Sequence, residues 1–161
     1  MHRDAKNFDT FEDLDAYKVA REFRKVMYEV SRRLPDLEKF GLASQIRRAA
    51  VSLTNNIAEG HGRFHYLDQI KFMLQSRGSA QELIDDLNVT DDEKYLPSHE
   101  VSQLKDKGWH SIRVLNGYLR WLRQRKTDQT FPCAKSHRST ATPTTTSKPG
   151  SPHSPCNHAT L

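Results

Sequence analysis

Leu42 to Gly60 reads LASQIRRAAVSLTNNIAEG, and two stripes at helical spacing run along it. At about 100° per residue, Leu42, Ile46, Ala49, Ala50, Leu53 and Ile57 share one apolar face, the pattern of a helix packed on a core. Gln45, Arg48, Ser52, Asn56 and Glu59 recur every three or four residues on a neighbouring face. A solvated face in so charged a chain would carry Lys and Glu, whereas short Gln, Ser and Asn side chains suit a hydrogen-bonded contact between helices. The second stripe therefore reads as a polar seam.

A partner for the seam lies between Tyr66 and Val89, where Ser76-Arg77-Gly78-Ser79-Ala80 sets small residues in the middle of a good helix former. Glycine costs about 1 kcal/mol relative to alanine in a helix interior. Gly78 is therefore read as a point where another backbone comes close. On this reading Gly78, Ser79 and Glu82 face the seam.

The flanking segments carry the same period. Thr10 precedes Phe11, Glu12 and Asp13, a capping hydroxyl with acids in the first turn, as a helix start prefers. Ala16, Val19, Ala20, Phe23, Val26, Met27, Val30 and Leu34 then recur at spacing three and four up to Pro35. The second helix is expected from about Leu42 to Gly60 or His61, with Gly60 and Gly62 as left-handed stop signals. The third starts near His65, carries Leu67, Ile70, Met73, Leu74, Leu83, Ile84 and Leu87 on its apolar side, and ends near Val89 or a few residues later. Ser98 caps a fourth with Val101, Leu104, Gly108, Ile112, Leu115, Leu119 and Leu122 inward. Arg120, Arg123, Arg125 and Lys126 close it, where cations complement the helix dipole.

From Thr127 the composition turns to Thr, Ser, Pro and His, which cannot bury enough apolar surface to offset chain entropy. No strand alternation competes. The expected fold is all-α: an antiparallel up-down-up-down four-helix bundle over residues 11–126. A flexible N-terminus (1–10) precedes it and a disordered Thr/Ser/Pro-rich tail (127–161) follows.

At 161 residues, 35% hydrophobic and 28% charged, the chain suits one globular domain plus a tail. No run approaches the roughly 20 apolar residues of a membrane span, and MHRDAKNFDTFEDLD lacks an apolar signal region. A cytoplasmic protein without membrane contact is expected. Both cysteines, Cys133 and Cys156, fall in the tail, so the bundle does not depend on a disulfide. Formal net charge is +5 and the isoelectric point about 9.3. The tail, with Lys135, Arg138 and Lys148 against Asp128, takes +2 of this and leaves +3 for the bundle. That is a modest excess whose meaning depends on clustering.

Ser44-Gln45-Ile46-Arg47-Arg48-Ala49-Ala50-Val51-Ser52, continuing to Asn56-Ile57-Ala58-Glu59-Gly60, resembles the four-helix-bundle proteins of the 23S ribosomal RNA intervening-sequence family. Phe11-Glu12-Asp13-Leu14 with Tyr17, and Arg77-Gly78-Ser79 with Glu82 and Leu83, match that family too. The resemblance covers roughly residues 8 to 125. Thr54 stands where the family usually carries proline, and the tail has no counterpart. The resemblance implies a bacterial cytoplasmic bundle without enzymatic activity that assembles into a ring-like homo-oligomer, a pentamer. Related bundles serve as accessory subunits of retroelement reverse transcriptases, which implies RNA or a nucleoprotein as partner.

The candidate sites each have a plain structural reading beside the functional one. The seam is read as a buried network in which Arg48 or Arg77 pairs with Glu59 or Glu82. A ligand site or a subunit interface is the alternative, and the satisfied network is preferred because buried polar groups normally occur in satisfied sets. Arg47, Arg48, Arg63, Lys71 and Arg77, with Arg113, Arg120, Arg123, Arg125 and Lys126, are read either as a basic rim for phosphate or as solvated faces paired with Asp85, Asp86, Asp91, Asp92 and Glu93. These acids lack a phosphate-cradling loop or a paired base and are read as solvent-facing, so no catalytic residue is assigned. His61 and His65 have no third ligand beside them, and Cys133, His137, Cys156 and His158 fit no finger spacing. Neither a metal nor a cofactor is expected.

The competing function is a protein-interaction scaffold or accessory subunit that never touches nucleic acid itself.

Overall fold

In the computed structural model, residues 10–130 are described, with side chains through residue 125. Four helices occupy them: α1 (Asp15–Arg33), α2 (Leu42–His61), α3 (Tyr66–Asp92) and α4 (Ser98–Thr130). Short 3-10 turns, Phe11–Asp13 and Asp36–Glu38, precede α1 and α2. There is no strand among the described residues.

The first helix begins later than the capping pattern suggests. The Thr10 backbone N–H and hydroxyl both donate to Asp13 Oδ2 at 3.1 Å, which closes a 3-10 turn instead of an α-helix. Leu14 then adopts extended backbone (φ −64°, ψ 125°) and is 1% exposed. The break is thus what drops Leu14 into the core. At the far end Leu34 is extended, as the residue before a proline prefers.

Glu38 holds two connections together. Its Oε2 accepts the Leu42 N–H at 2.9 Å at the start of α2, and its Oε1 accepts the Tyr95 hydroxyl at 3.0 Å from the α3–α4 connection. One carboxylate therefore caps a helix and pins the loop beside it.

The glycines act differently from their reading as left-handed stops. No described glycine has positive φ, and α2 runs through Gly60 to His61. A Cβ on Gly60 would stand 2.7 Å from Met73 Cε and 2.9 Å from Phe72 Cβ. Gly60 is therefore a close approach of α2 to α3. Gly108 plays the same part on α4, where a Cβ would stand 2.8 Å from Ile84 Cγ1 and 2.9 Å from Phe23 Cζ. The left-handed residue at a helix end is Lys94 (φ 59°), with Tyr95 N–H bonded back to Thr90 O and Lys94 N–H to Asp91 O.

Cross-helix partners give the helix directions. Between α2 and α3, Leu53 meets Ser76, Ser52 meets Ser79 and Gln45 meets Asp86, so the numbers run oppositely. Arg77 with Asn116 and Asn88 with Lys105 do the same for α3 and α4. Arg33 with Glu100 and Phe23 with Gly108 do so for α1 and α4. The four helices thus form an antiparallel bundle. Phe23, Met27, Ile46, Leu53, Ile57, Met73, Leu83, Leu87, Leu115, Leu119 and Leu122 lie in its core.

All six apolar positions of α2 and all seven of α4 named from the sequence are buried. Val19 and Val26 on α1 are half-buried, and Leu67 on α3 is 60% exposed. The last helix continues through Thr130, past the Lys126 boundary expected for it. Residues 1–9 and most of the tail, with Cys133, His137, Cys156 and His158, lie outside the described residues.

Candidate nucleic-acid interface

The polar seam exists, with an altered membership. The Ser76 hydroxyl donates to the Leu53 carbonyl at 2.7 Å in a fully buried contact. Ser79 Oγ donates to Ser52 Oγ at 2.9 Å, and Asn56 Nδ2 donates to Ser52 O and Oγ at 2.8 and 3.0 Å. Gln45 Nε2 donates to Asp86 Oδ1 at 3.0 Å. Ser52, Asn56 and Ser79 thus form one hydrogen-bonded group and Gln45 a separate bond, with Ser76 and Asp86, which the sequence reading left out or set in solvent, as further members.

The charged members go elsewhere. Glu59 pairs with Arg63 one turn on, and Arg48 and Glu82 are exposed. At 100° per residue, Arg48 and Glu59 sit roughly 50° further round α2 than Ser52 and Asn56, enough to leave the contact. A Cβ on Gly78 would meet nothing within 4 Å, so among the described residues no other backbone approaches it. The expectation of an internal close contact at Gly78 is overturned.

Asp86 is the exception to the seam's satisfied bonding. It is 2% exposed and its Oδ2 has no hydrogen-bond partner among the described residues. Burial, helped by the charges of Glu82 and Asp85 and opposed by the Gln45 hydrogen bond, pushes its carboxyl up to about 6. It is not the solvent-facing charge read from the sequence.

The candidate cations divide into two groups. Arg47 and Arg48 lie in the first half of α2, and Arg47 Nη2 donates to the Lys39 carbonyl at 3.1 Å. The others gather where the start of α3 lies beside the end of α4. Arg77 Nη1 donates to Asn116 Oδ1 at 3.3 Å. Arg113, Arg120 and Arg123 are exposed on α4. The Arg125 guanidinium stands 4.2 Å from the Trp121 ring centre, and Trp121 stacks on Tyr118 at 5.4 Å and 19°. Arg63 lies 4.9 Å over the Phe72 ring, and the neighbouring Phe64 is 91% exposed. Lys126 is on α4 beyond the described side chains. The aromatic half of this cluster was missed from the sequence, although Tyr118, Trp121 and Arg125 follow the spacing of one helix face.

None of these cations pairs with Asp85, Asp91, Asp92 or Glu93 among the described residues. The ion pairs there are Lys25–Glu22, Arg32–Glu29, Arg33–Glu100 and Arg63–Glu59. Antiparallel packing puts Asp85, Asp91, Asp92 and Glu93 towards the opposite end of α3, while Glu12, Asp13, Asp15, Glu59 and Asp68 lie at the cluster's own end of the bundle.

No helix of the described residues is long and apolar enough to cross a membrane. Among those residues, no group of three or more His, Cys, Asp or Glu side chains converges on one point.

No curated protein matches the chain. Among solved structures it is similar to a protein of unknown function from the S23 ribosomal protein family of Bacteroides thetaiotaomicron. That match has a TM-score of 0.61 and 18% identity, and covers 65% of this chain and 95% of the other. At that identity it supports the bundle fold alone. The family model described as 23S rRNA-intervening sequence protein matches residues 12–117, a span that takes in the seam, both glycine contacts and most of α4. The chain belongs to the 23S rRNA-intervening sequence protein family.

Proposed function

We propose that this chain is a non-enzymatic cytoplasmic protein that assembles with copies of itself, as a pentameric ring, and binds RNA or a nucleoprotein such as a reverse transcriptase. The observation that carries this reading is the cluster at the end of α4. There Arg77 and Arg125 are held by a neutral and an aromatic partner, Arg113 and Arg120 stand exposed, and Asp85, Asp91, Asp92 and Glu93 lie towards the other end of α3. Phosphate contacts made by such a surface confer affinity without reading sequence. Membership of a family named for ribosomal RNA insertions supports the same ligand class.

The test is a salt titration of binding to a structured RNA. Wild-type affinity should fall steeply with salt, each phosphate contact contributing a slope of roughly −0.7 to −0.9. The double variant R120E/R123E should bind at least about tenfold more weakly and show a slope shallower by roughly 1.5 to 2. Absence of any RNA or DNA binding at low salt would overturn the reading.

One observation favours the scaffold alternative. The outward face of α3 carries Leu67 at 60% and Val89 at 40% exposure, on either side of the uncovered Gly78. On that reading a partner subunit or another protein packs there, and light scattering with the 260/280 nm absorbance ratio on the same peak separates the two. A nucleic-acid-free oligomer supports the scaffold; a peak carrying nucleic acid supports the RNA reading.

A further inference from the structure

The two cations separated from the α4 cluster border a groove of their own. On the α1–α2 side a depression of ≈ 610 Å³ is lined by Tyr28 from α1 and by Ser44, Arg47, Arg48, Val51 and Asn55 among others from α2. A second, of ≈ 380 Å³, continues it along α1 past Arg24, Lys25 and Arg32, and the two share Tyr28 and Val51. Both volumes fall in the range of roughly 300–1,000 Å³ typical of small-ligand sites.

Three of its five cations, Arg24, Arg47 and Arg48, have no acidic partner among the described residues. Among the described residues the one carboxylate in the lining is Glu29, which is bonded to Arg32. Lys25 is paired with Glu22. The other three cations have neutral partners or none. Arg24 Nη1 donates to Thr54 Oγ1 at 2.9 Å, and that hydroxyl in turn donates to the Val51 carbonyl at 3.3 Å. The Thr54 hydroxyl is what orients Arg24. Arg47 donates to the Lys39 carbonyl. Arg48 is exposed and has no hydrogen bond or ion pair among the described residues.

A guanidinium held by one neutral oxygen keeps its full charge and most of its five N–H donors, so it is oriented in advance for phosphate. Tyr28 forms the wall between the two halves of the groove, half-buried and with no hydrogen bond to its hydroxyl among the described residues. Exposed Asn55 offers both a donor and an acceptor beside it. The apolar lining is little more than Val51 and the Tyr28 ring, too small an anchor for an amphipathic peptide helix.

We propose that this α1–α2 groove binds a short single-stranded nucleic-acid segment, with phosphates on Arg24, Arg47 and Arg48 and a base stacked on Tyr28. The proposal rests on the nucleic-acid reading above and adds a second contact on a different pair of helices. The bundle then touches nucleic acid on two separate faces.

The experiment is fluorescence anisotropy of a labelled uridine pentanucleotide with the full chain, paired with photocrosslinking of its 4-thiouridine form and peptide mapping. Crosslinks are expected at the Tyr28 peptide. Arg48→Ala should weaken binding roughly five- to tenfold near 0.1 M salt and make the salt slope shallower by roughly 0.7 to 1. Tyr28→Leu, which keeps most of the packing volume, should weaken binding and abolish the crosslink while the melting curve stays cooperative. R120E/R123E should leave the Tyr28 crosslink in place. Loss of binding in R120E/R123E with no change in Arg48→Ala overturns the groove and leaves the α4 surface standing. No binding by the wild type to either the pentanucleotide or longer RNA overturns both. Equal competition by an acidic peptide such as hexaglutamate overturns the assignment to nucleic acid.

Discussion

The two long faces of α3 are built from similar residues and behave oppositely. Towards α2 it presents Ser76, Ser79 and Asp86, all buried and, apart from one Asp86 oxygen, hydrogen-bonded across the interface. Away from α2 it presents Leu67, Gly78, Asp85 and Val89, which meet solvent. Small and acidic residues occur on both. What decides their role is the neighbour each face meets, and helical period alone fixes only the direction of the core.

The largest break in that contrast comes from glycine. At Gly60, the real close approach between α2 and α3, valine would drive branched carbons into Met73 and Phe72. We expect Gly60→Val to destabilise by about 2–3 kcal/mol, seen as a lower midpoint in urea unfolding followed by circular dichroism. An unchanged midpoint would mean that α2 and α3 are not packed at this distance.

The extent to which this was legible in the sequence follows from the same contrast. Apolar period located the core faces of α2 and α4 completely, because burial depends only on the angle towards the bundle axis. Which neighbour covers each flank depends on helix rotation and register, and these are set by contacts far apart in sequence such as Gly108 with Phe23. Hence Gly78 was assigned to the seam while Ser76 was omitted, and the cations were read as one rim although they form two groups. The Leu14 break was hidden behind a good capping pattern. Arg24 and Tyr28 had no signal of their own, since Thr54 shows its partner only once α1 and α2 are side by side.

Adjacent acids sharpen the comparison with a smaller effect. Asp85 is exposed, whereas Asp86 is buried with its carboxyl raised from an ordinary 3.8 to about 6. The folded state therefore holds that proton more tightly than the unfolded chain does. The stability linked to it is fully present below about pH 4, falls as pH rises between 4 and 6, and stays lost above. Asp86→Asn retains an oxygen for Gln45 and removes the charge. It should stabilise by about 1 kcal/mol at pH 7 and flatten the pH dependence in that window, whereas Asp85→Asn should change stability far less. Melting temperatures of the three proteins from pH 4 to 7 check this. A slope unchanged in Asp86→Asn would show that the orphan oxygen has found a partner.

The smallest effects concern where α3 keeps its glycine and where it ends. Gly78 is mid-helix in open space, so Gly78→Ala should gain roughly 0.5–1 kcal/mol from helix propensity and a less flexible unfolded chain. Lys94 instead holds the left-handed position (φ 59°) after the last turn, with Tyr95 N–H bonded back to Thr90 O, where a side chain is strained and glycine is favoured. Lys94→Gly should gain a similar amount, less the entropy glycine adds to the unfolded chain. The positions are at different parts of α3 and share no partner, so the double variant should show nearly additive gains in urea unfolding. A loss of stability in Gly78→Ala accompanied by a smaller particle in light scattering would mean that a second chain covers this face, and that the outward side of α3 is a contact surface after all.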